Sequence, residues 1–579
     1  MLDSYILLKY ERNILDKITK LMYNAYIDRS GRRMCSRCPC DERTPVMRLT
    51  APRLQILSNV LSSIRSERPD TRFCVSNHDG GIIMKNNAMR ILAMLIASML
   101  CAMSLASCGS GSADTPAATT AGGANDAQTT AAETEMSYDP GLPSKDYGGA
   151  SFTILTKGVS SFNEWGETSI YTENENGDVV NDAIFQRNRS VEEKYNIKIA
   201  QYESSSPQSD TQKSVSAGDG AYDVVMPSFG EAGTLAAGGY LYDINEIANI
   251  NLTKPWWDQR SVADLSVDNR LYFVSSDIST LNNDATWCTM FSKDLVNSYG
   301  VKSPYELVAS NEWTYDNFYS MYKGVTGDLD GDGTYGPYDL FPNLTQNENY
   351  NAMYLGTGDR LISKDENDIP QIALGQDERS VKIIESLNTI MNDKQFSFNY
   401  HTSASDLGYH LWTTQMFEEG RGLFWITNLQ IVIRLRDLDS NFGIVPVPKY
   451  SADQESYSNV VWTVGSYVAV PKTTLDIERT GIILEALAAK SMEVLRPAYY
   501  DSALQGKYLR DEESVEMLDI VIGERVYDLG LAFDFGEISG ILQAVMSKNS
   551  TDIASTMAKK TSAIQAAIDK TITSFQENS

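Results

Sequence analysis

An uncharged run from Ile91 to Ala106, led by Lys85 and Arg90 and closed by Leu105-Ala106-Ser107-Cys108, divides this 579-residue chain into unlike parts. The run is shorter than the ~20 apolar residues that cross a bilayer as a helix. A basic lead, then an apolar stretch, then small residues is the order of a secretory signal peptide. Whatever follows Cys108 is therefore expected to fold outside the cytoplasm.

The end of the run resembles the lipobox of bacterial lipoproteins, with Leu105 three residues before the Cys and small residues between. That resemblance implies a signal peptide over residues 84–107. It also implies lipidation of Cys108, which becomes the first mature residue and ties the protein to the cell membrane. The 83 residues before Met84 carry 14 Lys+Arg against 9 Asp+Glu, opposite in sign to the rest. Cys35, Cys38 and Cys40 lack a second ligand pair at zinc-site spacing, with only Cys74 and His78 further on. Residues 1–83 are expected to be a mis-extended reading frame and are assigned no fold.

From Cys108 onward there are 33 Lys+Arg and 67 Asp+Glu, a net charge near −34. Such a field repels nucleic acid and anionic membrane surfaces, so the membrane is met through the lipid alone. Cys108 and Cys288 are the mature cysteines. With Cys108 acylated no internal disulfide is expected, and the core must supply the stability. Residues 108–146, rich in Ser, Thr, Ala and Gly over Gly109–Glu135, bury too little to fold and read as a flexible tether.

Order is expected from Tyr147. Ser151–Thr156 reads as a strand, Val180, Ile184, Val191 and Tyr195 mark a helix face, and Ile197–Tyr202 and Tyr222–Pro227 read as further strands. This alternation predicts an open parallel α/β sheet, with ligand beyond the carboxyl ends of its strands near Trp165 and Ser228-Phe229. At the far end Ile553, Met557, Ile564, Ile568, Ile572 and Phe575 predict one amphipathic helix.

Six motifs occur in a recognisable order: Gly220-Ala-Tyr-Asp-Val-Val, Gly239-Tyr-Leu-Tyr-Asp-Ile, Met290–Leu295 with Tyr299-Gly300, Asn311–Phe318, Phe417–Arg421 and Phe442–Pro448. Together they resemble the family 1 extracellular solute-binding proteins, the maltose-binding-like receptors of ABC importers. The resemblance covers residues 147–579. It implies a two-lobed α/β fold of the periplasmic-binding-protein type II, hinged about an inter-lobe cleft. On that pattern residues 147–280 begin lobe one, the chain crosses near Asp277–Asp284, and residues 281–441 form lobe two. Residues 442–505 return to lobe one from Phe442–Pro448, and residues 506–579 pack mainly on lobe two.

Asp328, Asp330 and Asp332 at alternate positions, then Gly333 and Thr334, with Asp339 beyond, is the sharpest local motif. Calcium takes six to eight oxygens, and such spacing lets carboxylates converge with the Thr334 carbonyl. The expectation is a structural Ca2+ pinning a lobe-two loop; the plain alternative is a solvated acidic turn.

Sugars present flat apolar faces ringed by hydroxyls, which aromatic platforms and fixed polar groups recognise. Trp165, Ser228, Asp284, Trp287, Trp425, Trp462 and Tyr467 stand at loops or strand ends and are the candidate ligand residues. For any one Trp the competing role is core packing. Trp313 and the Trp256-Trp257 pair are assigned to packing.

The expected function is a monomeric, lipid-anchored receptor that delivers an oligosaccharide to an ABC permease by hinge closure, with no catalysis. Two alternatives stay open: a glycan-binding lipoprotein without a transporter, and a glycan hydrolase using paired carboxylates about 5 to 9.5 Å apart. No Gly-x-Ser-x-Gly, HExxH or phosphate-loop motif is present, and only His401 and His410 lie in the mature chain.

Overall fold

Two separate sheets organise the protein, seen in a computed structural model. It describes residues 137–159, 165–403, 409–435, 441–503 and 512–577, and the backbone of 76–78 and 81–83. The signal peptide, Cys108 and the region 108–136 lie outside the described residues. The chain divides into two units, Met1–Ala132 and Glu133–Ser579. In the first, β1 (Ser76–His78) pairs antiparallel with β2 (Gly81–Ile83). All that follows concerns the second. Among the described residues no helix is long and apolar enough to cross a membrane.

Lobe one is built on β3 (Ala150–Lys157), with β4 (Ile197–Ser204) and β5 (Val224–Met226) parallel on either side. Helix α1 (Val179–Tyr195) connects β3 to β4. Asp178 caps it by accepting from the Val180 and Asn181 amides, and Asn196 closes it in the left-handed region. The buried face of α1 includes Ile184, Val191 and Tyr195, as the apolar spacing predicts. Helix α2 (Pro207–Ala217) leads to β5, and α3 (Phe229–Ala237) leaves it.

Lobe two carries a five-stranded mixed sheet with its strands in the order Ser397–Asn399, Phe341–Thr345, Gly422–Asn428, Trp287–Ser292 and Phe442–Val445, and apart from it β8 (Ile362–Lys364) pairs antiparallel with β9 (Pro370–Ile372). The strands β7 (Phe341–Thr345), β10 (Ser397–Asn399) and β11 (Gly422–Asn428) run parallel, while β6 (Trp287–Ser292) runs antiparallel to β11 and β12 (Phe442–Val445). Every residue of β6, β7 and β11 is buried, as expected of strands covered on both faces. Trp313 packs here, donating from Nε1 to the Pro446 carbonyl at 2.8 Å.

The crossings between lobes differ from expectation in one respect. The chain leaves lobe one through Ser279–Thr286. The return does not begin at Phe442–Pro448, because β12 stays in the lobe-two sheet with Ile444 opposite Met290. It runs instead from Asn459 to Ser466, after which Val468 and Ala469 bridge Val274 and Val225 of lobe one. Asn459–Val460 also pairs with Arg525–Val526, a third pass through the hinge.

Asn282 ties the two main crossings. Its Nδ2 donates to Ser275 Oγ at 2.8 Å and to the Ser466 carbonyl at 2.7 Å, and its Oδ1 accepts from the Ser466 amide at 2.8 Å. Gly465 permits this approach, since a Cβ there would collide with Asn282 Oδ1.

The C-terminal helices are not confined to lobe two. Glu512–Gly523 packs on β12, but Ser574 Oγ donates to the Ala237 carbonyl of α3, and Phe575 meets Tyr272 of lobe one edge-on at 4.5 Å. The last helix, Ile553–Glu577, buries Ile553, Met557, Ile564, Ile568 and Phe575 on one face. Its length lets one element back both lobes.

Candidate ligand-binding cleft

The carboxyl ends of the parallel strands of both lobes converge on the hinge, where open α/β sheets hold their ligands. From lobe one, β3 ends at Lys157 and leads to Trp165, and β5 ends at Ser228 before α3. From lobe two, β7 ends before Gln346 and Glu348, β10 before His401, and β11 at Asn428. Trp287 opens β6, and Trp462 lies in the return crossing.

Two adjoining cavities result, with Trp165 lining both. One, of about 230 Å³, is lined by Trp165, Trp287, Gln346, Glu348, His401, Asn428, Ile431 and Trp462. The other, of about 450 Å³, is lined by Lys157, Trp165, Gln208, Ser228, Gly230, Glu231, Thr234, Thr463 and Val464. In it Ser228 donates from Oγ to Glu231 Oε2 at 2.6 Å, and Lys157 Nζ stands 3.9 Å from that same oxygen.

The first cavity is walled by aromatic rings set at right angles. Trp287 and Trp462 meet edge to face, with centroids 5.7 Å apart and planes at 86°. Between the rings lie buried polar atoms without hydrogen-bond partners: Trp287 Nε1, Gln346 Oε1, Glu348 Oε2 and Asn428 Oδ1. One is a donor and three are acceptors. Each such atom costs about 1–3 kcal/mol unless something pairs with it.

Their placement is rigid. Asn349, fully buried, accepts from the Gln346 amide at 2.7 Å and donates to the Ile426 carbonyl at 3.0 Å, locking β7's exit to β11. The Leu429 amide donates to the Thr286 carbonyl at 3.1 Å, fixing Asn428 against the outgoing crossing. His401 Nδ1 accepts from the Asn347 amide at 3.3 Å.

Of the candidate ligand residues, Trp165, Trp287 and Trp462 line the smaller cavity, and Trp165 and Ser228 the larger. Trp425, Tyr467 and Asp284 line neither cavity, and all three are corrections. Trp425, 1% exposed in mid-β11, packs on Phe417 at 5.8 Å inside lobe two. Tyr467, fully buried, stacks on Phe229 at 4.7 Å in the lobe-one core. Strand position alone could not tell which face of the sheet each side chain takes. Asp284 stands behind the cleft in the hinge, where its Oδ1 accepts from Tyr499 at 2.9 Å. Burial pushes its carboxyl up to about 7, against the Tyr499 hydrogen bond and with Glu167 adding to the rise.

Gln346, Glu348, Asn428 and His401 were missed by sequence reading. Their signal was the end of each buried strand, visible only once β7, β10 and β11 are aligned.

Asp328, Asp330 and Asp332 do converge, each offering a carboxylate oxygen within 4.8 Å of the others, all exposed. Asp339 does not join them, which corrects the expected ligand set. Fully buried, it accepts from the Leu329 amide at 2.8 Å and the Gly336 amide at 2.7 Å, bracing the loop from beneath. Thr334 donates from its amide to Asp332 Oδ1 at 2.7 Å. Cys288 is buried in β6, which pushes its thiol pKa up and leaves it inert.

Two lobes, a hinge with three crossings among the described residues and an aromatic, polar cleft define a ligand-binding receptor. The chain belongs to the bacterial extracellular solute-binding proteins, whose model matches residues 182–478, and its place is outside the cytoplasm. Among solved structures it is similar to an ABC substrate-binding protein of Listeria monocytogenes in complex with cycloalternan. They share 12% identity over 73% of this chain and 98% of that one, with TM-score 0.45. It is also similar to a sugar transporter protein of Rhizobium etli in an open conformation (13% identity, 74% and 99% covered, TM-score 0.47). A third is the ABC transporter associated binding protein of B. animalis subsp. lactis in complex with beta-1,6-galactobiose (14%, 74% and 96%, TM-score 0.43). No curated protein matches the chain by sequence.

Proposed function

We propose that this protein captures an oligosaccharide in the inter-lobe cleft and delivers it to an ABC permease. The observation that carries the reading is the 230 Å³ cavity, where Trp165, Trp287 and Trp462 stand around four unpartnered buried polar atoms. Apolar ring faces with fixed donors and acceptors suit a molecule whose faces are apolar and whose rim is hydroxylated. A ligand spanning Trp165 of lobe one and Gln346 or Asn428 of lobe two contacts both lobes at once. It therefore favours the closed state by its differential affinity.

The receptor acts as a monomer, tethered through residues 109–135 to lipidated Cys108. Catalysis is not part of this reading, and Glu348 is the one carboxylate among the described residues lining that cavity. The Asp328, Asp330 and Asp332 carboxylates hold a structural Ca2+ at the lobe-two surface, supported by their convergence and their exposure to solvent.

Isothermal titration of the protein with neutral oligosaccharides, with product analysis of the mixture, tests the reading. Saturable binding without product supports it; product formation contradicts it. Mass analysis of membrane-extracted protein beginning at a diacylated Cys108 checks the anchor.

A further inference from the structure

The 230 Å³ cavity holds a charge that hydroxyls alone do not answer. Glu348 Oε2 is buried and has no hydrogen-bond partner, although it belongs to a carboxylate. His401 Nε2 stands 3.9 Å from the other oxygen, Oε1. His401 Nδ1 accepts from the Asn347 amide at 3.3 Å, which leaves Oε2 as the oxygen of Glu348 that no group of the protein pairs. A buried carboxylate oxygen left without a hydrogen bond is costly, more so than a neutral acceptor.

Around it stand three indole rings. Trp287 and Trp462 form perpendicular walls, and Trp165 closes the cavity from lobe one. Indole faces attract cations through their quadrupole, and the attraction grows on desolvation. A carboxylate and several indoles around one small space make a cage for an ammonium group. Gln346 Oε1 and Asn428 Oδ1, both on buried side chains, remain beside it as acceptors for hydroxyls or for ammonium hydrogens.

We infer that the ligand is an amino sugar oligosaccharide whose protonated amine is held by Glu348 between Trp165, Trp287 and Trp462. This rests on the carbohydrate reading above and narrows it. The strongly acidic surface, with a net charge of −27 for the whole chain, raises the local concentration of such a cationic solute.

The test compares glucosamine trimer with N-acetylglucosamine trimer, one skeleton with and without the charge, by titration at mildly acidic pH on the full protein and on Glu348→Gln. Glucosamine trimer is expected to bind the unmodified protein at least about tenfold more tightly. Glu348→Gln is expected to erase that preference by weakening the amine ligand alone. An unchanged ligand-free melting midpoint shows that the variant is folded, and Asn428→Ala serves as a second variant that weakens both trimers. Equal affinity for the two trimers, or a preference that survives Glu348→Gln, overturns the amine inference while the carbohydrate reading stands. Binding of choline with no binding of either trimer overturns the carbohydrate reading, and this inference with it.

Discussion

Trp287 and Trp462 meet edge to face at 5.7 Å, although 175 positions apart in sequence, because one opens the first strand of lobe two and the other lies in the crossing back to lobe one. The aromatic floor of the cleft is thus made of the hinge itself. Ligand contact and lobe movement share the same residues.

Trp462 is partly exposed and Trp287 is buried. Trp462→Ala is expected to weaken sugar binding at least about tenfold with a modest loss of stability. Trp287→Ala does both, losing about 3–5 kcal/mol as a buried aromatic truncation. Titration and chemical denaturation of the same variants separate the two effects.

Tyr467 and Trp425 provide the contrast. The Tyr467 hydroxyl is buried without a partner, so Tyr467→Phe is expected to leave binding unchanged and stability equal or slightly higher. Trp425→Ala is expected to cost about 3–5 kcal/mol through the lobe-two core. A large affinity loss in Tyr467→Phe would place its hydroxyl in the site after all.

Asn282 makes two hydrogen bonds to Ser466 of the return crossing and a third to Ser275 of lobe one. Asn282→Ala is expected to destabilise by about 2–4 kcal/mol, since buried partners are left unpaired. Small-angle scattering of the variant is expected to show a broader spread of lobe separations without ligand.

Asp284 gives the hinge a pH dependence. Burial raises its carboxyl from 3.8 to about 7, so the folded state holds a proton that the unfolded chain has lost across that window. Its contribution is full below about pH 4 and is lost as pH rises through 7. Asp284→Asn is expected to flatten the decline in melting midpoint between pH 5 and 7.5, values set about the window ~4–7.

How far this was legible in the sequence depended on range. Ser151–Thr156, the α1 face and the last helix were readable because their periodicity is local. Trp165, Ser228, Trp287 and Trp462 were readable as loop or strand-end aromatics and hydroxyls. The return point was not, because Phe442–Val445 looks the same as a lobe-two edge strand and as a crossing until its partner β6 is known. Tyr467 and Trp425 failed for a related reason: alternation gives two faces but not which one meets the cleft. Gln346 and Glu348 carry no pattern of their own and become a site only when β7 lies beside β11.

Removal of divalent cations tests the acidic loop. Chelator is expected to lower the melting midpoint and Ca2+ to restore it, while Asp330→Asn abolishes the Ca2+ response and leaves sugar affinity within about twofold. A midpoint indifferent to chelator assigns the loop to an ordinary turn.

The most direct measurement of the central claim is a thermal-shift series of the full protein and its Trp165→Ala and Trp462→Ala variants against neutral and amino sugar oligosaccharides. Ligand at a hundredfold its dissociation constant adds about 2.7 kcal/mol to the folded state, a plainly raised midpoint. The account predicts that rise in the unmodified protein and its loss in both variants. A rise that both variants keep, or no rise with any oligosaccharide, would contradict capture between these lobes.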